Sequence, residues 1–175
     1  MITLVTGGSG SGKSAYAEDV LTGFGEGERI YIATMYPFDE ESQKRISRHR
    51  MMRAKKNFST VECYTGLKEQ KIPSNAYVLL ECMSNLVANE MFQETGAKEN
   101  TVQAVLDGVA NLEKQAAELV IVTNEIFSDG IVYEEETIRY QEYLGRINRE
   151  IAKKAATVVE VVYGIPVVQK QAGGE

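Results

Sequence analysis

Two stretches of this chain carry residue types, at spacings, that can do chemistry on phosphate. Residues 7–14 read GGSGSGKS and match G-x-x-x-x-G-K-[ST], with Gly7, Gly12, Lys13 and Ser14 in the required places. Glycines let a loop turn its backbone N–H groups inward around an anion, and a helix starting behind the loop adds its partial positive charge. Lys13 then places an ammonium on the β and γ phosphates, and the Ser14 hydroxyl is a ligand for Mg²⁺. The alternative is a flexible strand-to-helix turn of similar composition. The context favours the phosphate loop: an apolar strand-like run ends at Thr6, and SAYAEDVL begins a helix-compatible run at Ser14.

The second stretch is RISRHRMMR, residues 45–53, which holds the single histidine, His49, among Arg45, Arg48, Arg50 and Arg53. Acids at residues 39–41 and bases toward residue 56 mark a helix whose charges suit its dipole. Arg45, His49 and Arg53 are four apart and share one helical face. With Lys44, Lys55 and Lys56 the segment concentrates seven cations in thirteen residues. Such a helix repels itself unless an anion lies against it, and arginine grips phosphate oxygens in pairs. A neutral imidazole in that setting can attack phosphorus as a covalent nucleophile. Spacing alone leaves the other reading open, a lone histidine on a basic solvated helix.

Several elements must position these groups. Apolar β-rich runs at residues 2–6, 29–33, 76–81, 119–124 and 157–164 alternate with helical periods at 14–22, 39–56, 84–94, 101–118 and 136–155. Val102, Val105, Val109, Leu112 and Ala116 form one apolar stripe; Tyr140, Leu144, Ile147, Ile151 and Ala155 form another. That alternation predicts an α/β fold, a mostly parallel sheet flanked by helices, as in P-loop nucleoside triphosphatases. A turn at Gly164 leads into a candidate edge strand, 165–169, confined to the periphery by Pro166. Glu81 falls at the carboxyl end of the strand AYVLLE, where ligands of open α/β sheets gather and where an acid stands near the metal in this class. The alternative for Glu81 is a strand-end surface acid.

A chain of 175 residues, 43% hydrophobic and 25% charged, fits one domain, read as residues 1–170 followed by a short tail, 171–175. A net charge of -6 speaks against nucleic acid or an anionic membrane surface as the main partner. Cys63 and Cys82 have neither disulfide-framework nor C-x-x-C spacing and read as small buried thiols. The start, MITLVTG, has no basic leader and no apolar stretch of spanning length, so no membrane insertion and a cytoplasmic location are expected.

Taken together, TGGSGSGKS, YIAT at 31–34, RISRHR, FSTVE closing at Glu62, LLECMSNLVANEMF at 79–92, VTNE at 122–125, GIV at 130–132, LGRINREIAKKA at 144–155 and VVYGIPVVQK at 161–170 resemble, in the same order from end to end, the bifunctional adenosylcobinamide kinase and adenosylcobinamide-phosphate guanylyltransferase family of cobalamin biosynthesis. The resemblance implies two transfers. A nucleoside triphosphate, ATP or GTP, phosphorylates the aminopropanol hydroxyl of adenosylcobinamide, and GMP then passes from GTP to the new phosphate through a guanylylated histidine. His49 matches that nucleophile. The resemblance also implies that Gly7, Gly8, Ser9, Gly10, Ser11, Gly12, Lys13 and Ser14, together with Ile32, Ala33, Thr34, Arg50, Met51, Met52, Arg53, Glu62 and Glu81, contact the guanine nucleotide. It implies a homotrimer as well. The chain departs from the family pattern at Gly10, where an arginine is usual, at IFSDGIVY (126–133), with Phe127 for a glycine and Tyr133 for a proline, and at Phe58, where a tryptophan is usual.

Two other readings fit the phosphate loop. One is a single-activity small-molecule kinase in which the basic helix is a lid and His49 incidental. The other is a non-catalytic GTP-dependent switch.

Overall fold

β-branched and leucine-rich runs, buried on both faces, pair side by side as the spine of the molecule. The computed structural model describes residues 1–126 and 134–173, the side chains of Arg45 and Met52 excepted. In chain order its main elements are β1 (Ile2–Thr6), α1 (Lys13–Gly23), β2 (Arg29–Ala33), α2 (Glu40–Ala54), β3 (Phe58–Glu62), β4 (Tyr77–Glu81), α3 (Met83–Phe92), α4 (Thr101–Gln115), β5 (Glu118–Val122), α5 (Glu135–Lys154), β6 (Thr157–Val162) and β7 (Ile165–Gln171). The sheet order is β3-β2-β4-β5-β1-β6-β7, parallel throughout except for the antiparallel β6–β7 pair.

Strand alternation divides the core in two. Ile2, Leu4, Ile30, Ile32, Val78, Leu80, Leu119 and Ile121 face α3, α4 and α5, meeting Leu86, Val105, Val109, Leu112, Leu144, Ile147 and Ile151. Val5, Tyr31, Leu79, Val120, Val122, Val159 and Val161 face the other way, onto Ala17 and Leu21 of α1. Each helical stripe foreseen from periodicity is therefore present, and no helix end moves by more than three residues. The strand expected at 157–164 stops at Val162 because Tyr163 (φ 51) and Gly164 (φ 76) form a tight hairpin turn with both central residues left-handed. β7 is the edge strand expected there and runs on to Gln171.

One strand was not foreseen. FSTVE pairs in parallel with β2, from Arg29–Phe58 to Ala33–Glu62. It is an edge strand in which only Phe58 is buried, so it lacks the apolar run that marks its neighbours.

Helix α2 stands apart from the core. Asp39 caps its first turn by accepting from Ser42 N–H at 2.7 Å, and Glu40 and Glu41 follow. Among its described side chains only Arg53 is buried.

Candidate active site at the carboxyl edge of the sheet

Strands β1, β4 and β5 end together at one edge of the sheet, and the loop between β1 and α1 closes over it. Gly7 cannot be replaced without displacement: a Cβ there would lie 2.5 Å from Ser11 Oγ and 2.7 Å from the Val161 carbonyl oxygen. Ser11 N–H donates to Gly8 O at 3.2 Å, Glu125 N–H to Gly7 O at 3.0 Å and Gly164 N–H to Ser11 O at 2.7 Å, so the loop is braced from both sides. Lys13 is buried and folds its ammonium back onto Gly8 O at 3.0 Å. Ser11 Oγ is buried with no partner among the described residues. A hydroxyl with no partner among the described residues, in a glycine-rich cradle beside a lysine whose ammonium meets a backbone carbonyl, fits a phosphate group.

Ser14 and Glu81 meet at this edge: the Ser14 hydroxyl donates to Glu81 Oε1. The described residues contain no cluster of three or more His, Cys, Asp or Glu that could hold a metal. A hydroxyl and one carboxylate suit Mg²⁺, which takes few protein ligands and completes its shell with water and phosphate oxygens.

Behind this pair lies a connection the sequence did not announce. Tyr31 is 5% exposed, on the sheet face that carries α1, and the Arg53 guanidinium lies over its ring at 3.3 Å from the centroid. Burial pushes the Tyr31 phenol far above its usual range; the Glu81 charge adds to this, and the Arg53 charge opposes it only in part. Arg53 itself is 4% exposed, and its Nε has no acceptor among the described residues. Arg53 leaves solvent to stack on β2, whereas His49 remains exposed and makes no hydrogen bond or ion pair among the described residues.

The other expected residues divide. Arg50 pairs with Glu62, both half-exposed, and so fixes α2 to the end of β3. Thr34 is buried, donating to Cys82 O and accepting from Cys82 N–H, each at 2.8 Å. Ile32 is core, with no exposed side chain to offer a ligand. Met51 is exposed, and the side chain of Met52 lies outside what is described. Of the two thiols expected to be buried, Cys63 is and Cys82 is only partly covered. Phe127, Tyr133 and the GIV block lie outside the described residues.

Sequence reasoning also passed over Asn124, which donates to Ser84 Oγ at 2.7 Å, and Tyr140, which donates to the Ser84 carbonyl at 3.1 Å. Both sit at the edge where the loop lies; a polar residue just past a buried strand was the available signal. Beyond Glu62 opens a cavity of about 590 Å³ lined by Tyr36, Tyr64, Thr65, Gln93 and Thr95. The larger cavity, about 740 Å³, runs along α5 on the opposite face of the sheet from α1.

A family model described as cobinamide kinase / cobinamide phosphate guanyltransferase matches residues 3–169. The chain belongs to this family. Among its cobinamide kinase relatives, the bifunctional adenosylcobalamin biosynthesis protein CobU of Escherichia coli (strain K12) is 36% identical over 183 residues, covering 95% of this chain and 98% of that protein. The protein of the same description from Salmonella typhimurium is 33% identical, with the same two coverages. Two solved structures share the fold at 11% identity. A KaiC-like protein from Pyrococcus horikoshii has a TM-score of 0.53, covering 99% of this chain and 81% of that one. The flagellar accessory protein FlaH from Methanocaldococcus jannaschii has a TM-score of 0.50, with coverages of 98% and 78%. As a member of the cobinamide kinase / cobinamide phosphate guanyltransferase family, the chain is a nucleotide-binding transferase with a P-loop fold whose small-molecule substrate is cobinamide.

Proposed function

We propose that this transferase uses one phosphate cradle for two reactions, with His49 as the covalent carrier of GMP. The observation that carries the reading is the meeting of Ser14 with Glu81 beside a braced loop whose Ser11 hydroxyl has no partner among the described residues, with the His49 helix seated on β2 through the stacking of Arg53 on Tyr31. Mg²⁺ held by Ser14 and Glu81 would neutralise charge on the phosphates.

In guanylyl transfer, an imidazole nitrogen of His49 attacks the α-phosphorus of GTP. The N–P bond forms as the bond to the bridging α–β oxygen breaks, and pyrophosphate leaves against Lys13 and the loop N–H groups. A phosphate oxygen of adenosylcobinamide phosphate then attacks the same phosphorus, the N–P bond breaks, and the imidazole is regenerated. Splitting one displacement into two is what a nucleophilic side chain supplies. In the kinase reaction, the aminopropanol hydroxyl attacks the γ-phosphorus of ATP or GTP, the nucleoside diphosphate leaves, and the hydroxyl proton passes to water. Lys13 and the loop position the phosphates, which is most of what phosphoryl transfer asks of a protein.

The family contacts implied for Arg50 and Glu62 fit a guanine nucleotide lying along α2 toward β3. The homotrimer implied by resemblance is supported by the β6–β7 hairpin, where Val162, Tyr163, Ile165, Val167 and Val168 stand exposed. A cytoplasmic enzyme accords with the finding that no helix among the described residues is long and apolar enough to cross a membrane.

GTP labelled at the α-phosphate should leave acid-labile, alkali-stable label on the protein. His49→Ala should lose that label while retaining γ-phosphate transfer. Transfer of γ-label alone by the native protein would instead establish a single-activity kinase, and stoichiometric binding without either transfer would establish a switch.

A further inference from the structure

The cavity beyond Glu62, about 590 Å³, has a chemistry opposite to that of the phosphate cradle. Two carboxylates line it, Glu62 and Glu94, and among the described residues no lysine or arginine does. Glu62 is offset by Arg50, whereas Glu94 is exposed with no cation on the cavity wall to meet it. A phosphate would be repelled there. The rest of the lining suits a neutral or cationic molecule: the amide of Gln93 and the hydroxyls of Thr65 and Thr95 both donate and accept, and Tyr36 and Tyr64, edge to face at 5.1 Å between centroids, flank an apolar body.

The wall is rigidly built. Glu90, at 3% exposure, accepts from Gly66 N–H at 2.7 Å on one oxygen and from Ala97 N–H at 2.8 Å on the other, clasping the loops that carry Thr65 and Thr95. The two threonine hydroxyls lie 3.0 Å apart. Asn89 accepts from Gln93 Nε2 at 3.0 Å and donates to Thr34 O at 2.8 Å, and Thr34 N–H donates to Glu81 O at 3.2 Å, so the cavity and the carboxylate beside the cradle share one frame. Groups held this way lose little freedom when a ligand arrives. Glu62 of β3 is level with Ala33 of β2, and Ala33 with Glu81 of β4, so the wall stands two strand spacings from Glu81, about 10 Å. Across the Arg50–Glu62 pair, a second cavity of about 550 Å³ is lined by Arg50, Phe58 and Thr60, on the path proposed for the guanine nucleotide.

Adenosylcobinamide has the chemistry the first cavity asks for: an alkylcobalt(III) corrinoid, a monocation ringed by primary amides, with its reacting hydroxyl at the end of a flexible arm. We propose that this cavity holds the amide-bearing rim of the corrinoid while the aminopropanol arm runs along the sheet edge to the cradle, and that Glu94 selects the substrate by charge. The proposal rests on the reading of the chain as kinase and guanylyltransferase for adenosylcobinamide.

Equilibrium dialysis of adenosylcobinamide, followed by its visible absorbance with Mg²⁺ and a non-hydrolysable GTP analogue present, tests it. Glu94→Lys should raise the Kd roughly tenfold, the scale of reversing one charge near a cation at a protein surface. Dicyanocobinamide, the same corrinoid made neutral by two cyanides, should lose much less. Tyr36→Ala, which removes an aromatic flank and no charge, should weaken both corrinoids alike, by roughly tenfold. In Glu94→Lys the Kd of the GTP analogue and the melting temperature should match those of the native chain. An unchanged adenosylcobinamide Kd in Glu94→Lys or in Tyr36→Ala, or equal losses of the charged and neutral corrinoids in Glu94→Lys, would overturn the proposal. A shift in the analogue's Kd in Glu94→Lys would also overturn it, by assigning the cavity to the nucleotide. Native protein that binds adenosylcobinamide but never acquires GMP from GTP would sink the histidine mechanism alone, and the dialysis would still decide the cavity.

Discussion

The hydroxyl of Ser14, in the first turn of α1, donates to Oε1 of Glu81, the last residue of β4, across a sequence separation of 67. Parallel pairing makes this meeting possible. β4 and β1 both flank β5, in registers that bring Glu81 and Val5 opposite Val122, so the loop after β1 and the acid ending β4 face one another across a single strand. Ligands of open α/β sheets bind at this edge for the same reason.

From that pairing follows a shared dependence of both transfers on one carboxylate. Glu81→Gln preserves shape and removes the charge, and Ser14→Ala removes the hydroxyl. Each should slow kinase and guanylyl transfer alike by about 10²-fold, the scale on which charge-stabilising groups act in transition states. Initial rates of both reactions against Mg²⁺ concentration are the measurement. Loss of one activity with the other intact would mean that the two reactions do not share the metal.

How far the chain could be read depended on whether a feature was local. The loop, its strand and its helix are contiguous, so residues 7–14 declared themselves, and the apolar period of Val105, Val109 and Leu112 required only one helix to be interpreted. β3 escaped because an edge strand buries one residue in five and owes its existence to β2 beside it. The burial of Arg53 escaped for a related reason. Four-residue spacing puts it on the face of His49, but helical period cannot say that a tyrosine on another strand waits beneath the end of that face. Tyr31 itself read as a strand filler within RIYIA, and only tertiary structure sets its ring under Arg53.

Gly10 is the departure from the family pattern that the fold makes easiest to test. Its φ of 71° lies in the left-handed region, and a Cβ built there meets nothing within 4 Å. Gly10→Arg should therefore fit sterically and cost about 1 kcal/mol of stability through backbone strain alone. The added guanidinium stands on the phosphate loop, and a charge-assisted contact there should lower the KM for the triphosphate roughly three- to tenfold. Melts together with KM at low and high salt would check both parts, since the gain should shrink as salt screens it. A melting temperature unchanged by the substitution would contradict the strain; an unchanged KM would place Gly10 away from the phosphates.

Cys63 makes stability depend on alkaline pH with a sign that can be worked out. Burial, and then the charge of Glu90, pushes its thiol from 9.0 up to about 11. Its Sγ donates to Thr65 O at 3.5 Å, a contact that only the protonated form can make. Above pH 9 the unfolded chain releases this proton while the folded one keeps it, so unfolding is favoured as pH rises, until the folded thiol also ionises near pH 11. The contribution is fully present below pH 9 and is lost across that window, amounting to about 2–3 kcal/mol at most. Other buried groups titrate at overlapping pH: Cys82 is raised, and Tyr140 is pushed up to about 12, both chiefly by burial. The difference between native protein and Cys63→Ala therefore isolates this thiol. Urea midpoints at pH 8, 9.5 and 11 should converge as pH rises, with the native chain losing more than the variant. Parallel curves would show that Cys63 ionises as readily folded as unfolded.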